Sequence, residues 1–278
     1  MPLSDDHLVD LLHDTANEIA AALRGLSDWG LAGTRAGQYR SDLAADAAAL
    51  KVLGGAGLGV LSEESGRHDG PSEVVVVVDP LDGSTNASQG IPWYATSLCA
   101  VDGDGPRAAV VVDIPRERRF VAVRGGGATL DGVPLRPSSS VSLGDSVVAL
   151  SGFPPRWLGW RQYRALGAAA LDLCAVAAGV VDAYIDCTPS AHGSWDYLGA
   201  LLVCREAGAV VGEAFDRDLV CLDHAARRTP LAAATPDLYE EVRAARRTPD
   251  WPDASGAIAG GIPGEVPGEI PGEGGGGH

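Results

Sequence analysis

Asp79 and Asp82 stand three positions apart at the end of a run of five valines, 74–78, with Pro80 between them and Gly83 behind. Consecutive β-branched residues predict a strand buried on both faces, so carboxylates at its end must meet water or a cation. A plain strand followed by a turn would also account for them. Pro80 fixes a turn in which both carboxylates and the Leu81 carbonyl can face one point, and Gly83 lets backbone N–H groups approach an anion. A helix beginning at Ser84-Thr85 would add free N–H donors for a phosphate.

Further acids lie far away in the chain: Asp46, the pair Glu63-Glu64, and Asp196 within Gly193-Ser194-Trp195-Asp196. Each alone has an ordinary reading, Glu63-Glu64 as solvated surface and Asp196 as a partner of a helix dipole. Gathered into one pocket they would repel one another and require cations. Hard oxygen donors of this kind suit Mg²⁺, which takes a few carboxylates, waters and substrate phosphate oxygens.

The elements that must position these residues are readable from periodicity. Leu8, Leu11, Leu12, Ile19, Leu23 and Leu26 share one face of a helix over 4–26, with Ser4 as N-cap. A second helix is expected from Ser41 to Leu53, stopped by Gly54-Gly55, and a short strand at 58–61 leads into Glu63. Strands at 94–101, 107–114 and 120–124 predict an antiparallel meander. The second half reads as helix 161–178, strand 180–186, helix 195–207, strand 209–214, strand 231–234 and helix 236–247. Together these imply stacked α and β layers.

Composition excludes several classes. A net charge of −16, with Lys51 the only lysine, argues against nucleic-acid binding, because a phosphate backbone needs a Lys/Arg surface. The sequence offers neither a membrane-length apolar stretch nor a signal peptide's basic and apolar regions, so a cytoplasmic location is expected. Cys99, Cys174, Cys187, Cys204 and Cys221 are widely spaced, which indicates buried thiols rather than disulfides or zinc. Residues 1–248 are expected to form one domain. The Gly/Pro/Glu-rich segment 249–278, with its near-repeat Ile262-Pro263-Gly264-Glu265, Val266-Pro267-Gly268-Glu269, Ile270-Pro271-Gly272-Glu273, is expected to be a disordered tail.

Three stretches in order, Leu61-Ser62-Glu63-Glu64-Ser65, Asp79-Pro80-Leu81-Asp82-Gly83-Ser84-Thr85-Asn86 and Trp195-Asp196-Tyr197-Leu198-Gly199-Ala200, resemble the signatures of the inositol monophosphatase family. The likeness extends over roughly residues 4–240, and Leu166–Cys174 leading to Asp182-Ala183-Tyr184 resembles the segment before the third signature. The resemblance implies an α/β protein, a five-layer αβαβα sandwich, acting as a Mg²⁺-dependent phosphomonoesterase with two or three ions. It places Glu63, Asp79 and the Leu81 carbonyl on the first ion, and Asp79, Asp82 and Asp196 on the second. Asp46 would pair with the Ser84 hydroxyl to orient the attacking water, with Glu63 beside them. Gly83 and Ser84 amides would receive the phosphate. Asp82, Gly167, Ala168, Ala169, Asp186 and Asp196 would line the substrate pocket. His68 and His192 read as ordinary loop residues, and Trp93 and Trp195 as packing.

The resemblance further implies a small-molecule phosphate ester as partner, inhibition by lithium, and a homodimer. Inositol monophosphate is the first substrate choice, with fructose bisphosphate and histidinol phosphate as alternatives. Phosphoadenosine phosphate fits less well, because Ser84-Thr85-Asn86 differs from the Thr-Lys-Glu of that branch. The stretch from Cys187 to Ser194, longer than the family pattern, leaves the alcohol pocket open. A non-catalytic, cation-binding regulatory protein is the alternative of another class.

Overall fold

The computed structural model describes residues 3–34, 37–248 and 251; the segment expected to be a tail lies outside these apart from Trp251. Helix α1 (Asp5–Arg24) starts where Ser4 Oγ accepts the His7 N–H, and its face of Leu8, Leu12, Ile19 and Leu23 is buried. Helix α2 (Arg40–Gly55) packs beside it.

Both helices cover one face of a sheet of eight strands. In chain order these are β1 (Gly59–Ser62), β2 (Gly66–His68), β3 (Val75–Asp82), β4 (Ala95–Asp102), β5 (Gly105–Asp113), β6 (Arg118–Val123), β7 (Gly127–Leu130) and β8 (Val133–Pro134), arranged β2-β1-β3-β4-β5-β6-β7-β8. Only β1 and β3 run parallel within it. The valine run shows why β3 is buried on both sides: Val76 and Val78 join the core under α1 and α2, whereas Val75 and Val77 join the core on the opposite face. Between β3 and β4 lies the short helix α3 (Ser84–Gln89).

The opposite core belongs to helices α4 (Ala169–Ala177) and α5 (Ser194–Ala207), which fill the space before a second, five-stranded sheet. Its strands β9 (Val147–Ser151), β10 (Gln162–Arg164), β11 (Ala183–Asp186), β12 (Val210–Glu213) and β13 (Pro230–Ala233) are ordered β10-β9-β11-β13-β12. Helix α6 (Pro236–Arg246) closes the outer face with Leu238 and Val242. The layers are therefore α, β, α, β, α, as the resemblance implies.

One expectation of the second half requires correction. The helix read over 161–178 is instead β10, paired in parallel with β9, followed by a loop and the shorter α4. All three residues of β10 are exposed, so its edge pairing carries no hydrophobic signature. Trp251, just beyond the boundary expected at residue 248, is buried against the α6 core.

Candidate metal and phosphate site

The parallel pairing of β1 with β3 brings the first two acids together. Ser62 lies opposite Val78, and the Glu63 N–H donates to the Val78 carbonyl at 3.1 Å, so Glu63 leaves β1 beside Asp79. At Asp79 the pairing of β3 with β4 shifts register and resumes only at Asp82. The intervening turn is held by the Leu81 N–H on Asp79 Oδ1 at 3.0 Å and by Thr96 Oγ1 on the Pro80 carbonyl at 2.9 Å. Pro80 thus shapes an interruption within a strand, not a turn beyond its end.

Asp196 reaches the same place from α5. It sits in the first turn, where its Oδ2 caps the Gly193 N–H at 2.8 Å. One carboxylate oxygen each from Glu63, Asp79 and Asp196 lie within 4.8 Å of one another. Asp82 is adjacent but points at α4, accepting the Ala169 and Ala170 N–H groups at 3.2 and 2.7 Å. Gly83 follows with φ of 82°, and a β-carbon there would stand 3.1 Å from Ala168 Cβ, the Gly167 carbonyl oxygen and the Trp93 carbonyl oxygen. Residues 167–169 and the Gly83-Ser84 turn are therefore packed together. Asn86 ties the same contact by donating to the carbonyls of Trp93 and Leu166.

The electrostatics are those of a buried acid cluster in which like charges outweigh the nearby cation His192. Burial, then the charges of Asp196, Glu64, Asp82 and Asp42, push the Glu63 carboxyl up to about 8. Burial, then Glu63, Asp82 and Asp196, drive Asp79 upward. Asp82 is pushed up to about 8 by burial and Asp196, even though the Ala170 N–H opposes the rise. Three raised carboxyls made only of oxygen donors fit a hard divalent cation, which would neutralise the repulsion that protons otherwise relieve.

Asp46 departs from its expected place. It accepts a hydrogen bond from Ser62 Oγ, so the anticipated pairing with Ser84 is replaced by one with the last residue of β1. The α2 acid whose charge reaches Glu63 is Asp42, one turn earlier, whose Oδ2 caps the Tyr39 N–H at 2.8 Å. Both acids are buried and lie on one face of α2, which is why spacing alone does not choose between them.

His192 is likewise more than loop. Its Nδ1 lies 3.2 Å from Asp196 Oδ2, and its Nε2 lies 3.0 Å from Tyr184 Oη, 3.2 Å from Ser151 Oγ and 3.6 Å from Asp186 Oδ2. Burial opposes its charge, yet the bond to Asp196 and the charges of Asp196, Asp186 and Asp82 push it up to about 9. Asp186 itself is fully buried at the end of β11; burial raises its carboxyl to about 6. His192 is held in this position by backbone bonds of its N–H and carbonyl to Arg228. Trp195 packs as expected, buried with its ring 4.7 Å from that of His224. Trp93 donates its Nε1–H to Asp172 Oδ1 at 2.8 Å.

A sequence profile of the inositol monophosphatase family matches residues 54–248. Nus factor SuhB of Salmonella typhimurium is 35% identical over 170 residues, covering 55% of this chain and 62% of that protein. A fructose-1,6-bisphosphatase of Pyrococcus furiosus is 33% identical over 169 residues, covering 59% of this chain and 65% of that protein. These matches span less than two thirds of either relative's length. Among solved structures, a hypothetical protein from Pyrococcus horikoshii, described as similar to inositol-1 monophosphatase, superposes with a TM-score of 0.75 at 25% identity, covering 87% of this chain and 97% of that one. Profile, relatives and architecture agree with the acid cluster at the ends of β1 and β3: the chain belongs to the inositol monophosphatase family.

Proposed function

We propose that this protein is a Mg²⁺-dependent phosphomonoesterase acting on a small polyol or sugar phosphate, with inositol monophosphate the first candidate and fructose bisphosphate the second. The observation that carries the reading is the convergence of Glu63, Asp79 and Asp196 oxygens within 4.8 Å. Glu63, Asp79, the Leu81 carbonyl, Asp82 and Asp196 would hold the ions. Bound Mg²⁺ would supply charge neutralisation for the phosphate and a coordinated water of lowered pKa.

The chain's own residues do the rest. The Leu81 N–H fixes the Asp79 carboxylate. Gly193 and His192 both engage Asp196 Oδ2, which leaves Oδ1 for an ion. The first N–H groups of α3 have no acceptor within the helix, so Gly83 and Ser84 offer donors to a phosphate. Asp42, whose charge reaches Glu63, would orient the attacking water in the role that the resemblance gave to Asp46. By family likeness, Gly167, Ala168, Ala169 and the buried Asp186 would line the pocket that takes the hydroxyls of the alcohol.

Lithium inhibition and a dimer follow from family likeness and, with a cytoplasmic location and a catalytic unit spanning residues 1–248, belong to the same proposal. The relatives named Nus factor favour a second reading, a regulatory protein in which the ions only stabilise the fold. Phosphate release from inositol monophosphate, fructose bisphosphate and histidinol phosphate, with and without Mg²⁺, separates the two. Turnover that requires Mg²⁺ is expected; a protein that binds the ion and hydrolyses none of these esters would support the regulatory role instead.

A further inference from the structure

The segment between β9 and α4, which includes β10, presents an apolar face. Phe153, Trp157 and Tyr163 are 90%, 67% and 55% exposed, and with Pro154, Pro155 and Trp160 they line a groove of about 450 Å³. Its walls are fixed: Trp157 donates its Nε1–H to the Trp160 carbonyl at 3.0 Å, and the Trp160 and Tyr163 rings lie 5.9 Å apart. In a chain of net charge −16, residues 152–168 contain Arg156, Arg161 and Arg164 and no acid.

The last described residues, Thr248 and Trp251, lie beside this groove. Trp251 is buried in the same cluster as Leu158 and Trp160, its ring 4.2 Å from the Arg246 guanidinium. Arg156 reaches across from the loop to Thr248 Oγ1 at 3.2 Å. Beyond Trp251, residues 252–278 contain Asp253, Glu265, Glu269 and Glu273 and no lysine or arginine, and three of these acids close the repeated Ile/Val-Pro-Gly-Glu units. We infer that the groove is the docking site of this chain's own segment 252–278, with Pro263, Pro267 and Pro271 against the aromatic rings and the glutamates towards Arg156, Arg161 and Arg164.

Geometry and charge both favour this occupant over an outside partner. Proline-rich chain binds aromatic grooves with little further entropy to lose, because its backbone is already restricted. Ten residues, 252–261, separate Trp251 from Ile262. A Gly-containing linker of that length spans about 17 Å on average, which would keep the repeats at millimolar effective concentration over a groove beside Trp251.

Hydrogen exchange tests the inference. In the full chain, the amides of residues 156–165 should exchange about tenfold more slowly than in a chain ended after Trp251, the ratio for a segment held at about ten times its dissociation constant. Replacing Glu265, Glu269 and Glu273 by Gln in the full chain, a change outside the folded body, should remove most of that protection, as should high salt. Equal exchange in the full and shortened chains overturns the inference. Protection that survives shortening and grows with protein concentration also overturns it, by assigning the groove to a second copy.

Discussion

At Asp79 a carboxylate is completely enclosed and its nearest charged neighbours are other carboxylates. Removing its charge has opposite consequences for the two properties that can be measured. Asp79→Asn should lower Mg²⁺-dependent turnover by more than about a hundredfold, beyond what loss of a merely supporting partner costs a metal site. The same variant should melt higher than the parent in chelator, because one source of repulsion is gone. A variant that kept near-parental turnover would remove Asp79 from the ion site. His192 calls for a different outcome, since it touches Asp196 rather than the ion. His192→Gln should weaken the Mg²⁺ activation constant about tenfold while leaving the rate at saturating Mg²⁺ within a few-fold. A lowered saturating rate with unchanged Mg²⁺ dependence would mean that His192 serves the alcohol pocket through Asp186 and not the ion through Asp196.

At the scale of elements, the turn from β3 into α3 carries the tightest constraint. Gly83 has φ of 82°, and two of the three atoms 3.1 Å from its would-be β-carbon are backbone oxygens, which cannot swing away. Gly83→Ala should therefore cost about 2–4 kcal/mol, combining left-handed strain with crowding, and should displace residues 167–169. Urea unfolding of the variant at the parental midpoint would refute this account of the turn. This element was largely legible beforehand: the valine run fixed β3, and Asp79, Asp82 and Gly83 kept their order on it. Helix α1 was legible from a buried face at helical spacing behind Ser4, whereas α5 is buried nearly all round and was legible from its apolar run and the Gly208 that ends it. What sequence did not disclose depends on distant partners. Strand β10 is exposed throughout and exists because β9 offers an edge. Asp42 and Asp46 differ by one helical turn, and only the approach of Glu63 and Ser62 tells them apart. His192 draws its partners from β9, β11 and α5, which no local pattern could assemble.

Across the whole molecule, the acid cluster couples folding to pH and to divalent ions. Glu63 and Asp82 are pushed up to about 8 in the folded chain, and Asp79 rises as well, with burial the first cause and neighbouring acids the next. A carboxyl whose pKa is higher folded than unfolded holds its proton more tightly in the folded state, so protonation stabilises the fold. In the metal-free protein that stabilisation is complete below the unfolded values near about pH 4 and is lost as pH rises through about 8. A bound divalent ion takes over the role of those protons, and its binding free energy adds to the folding free energy. The melting temperature in chelator should accordingly fall steadily from about pH 5 to about pH 8, and the increase produced by millimolar Mg²⁺ should be larger at the upper end of that interval. Scanning calorimetry across the interval, with chelator or Mg²⁺, measures both slopes. If Mg²⁺ raised the melting temperature equally at both ends, the ion would be binding somewhere other than among these three carboxyls, and the geometry at the ends of β1, β3 and α5 would need another purpose.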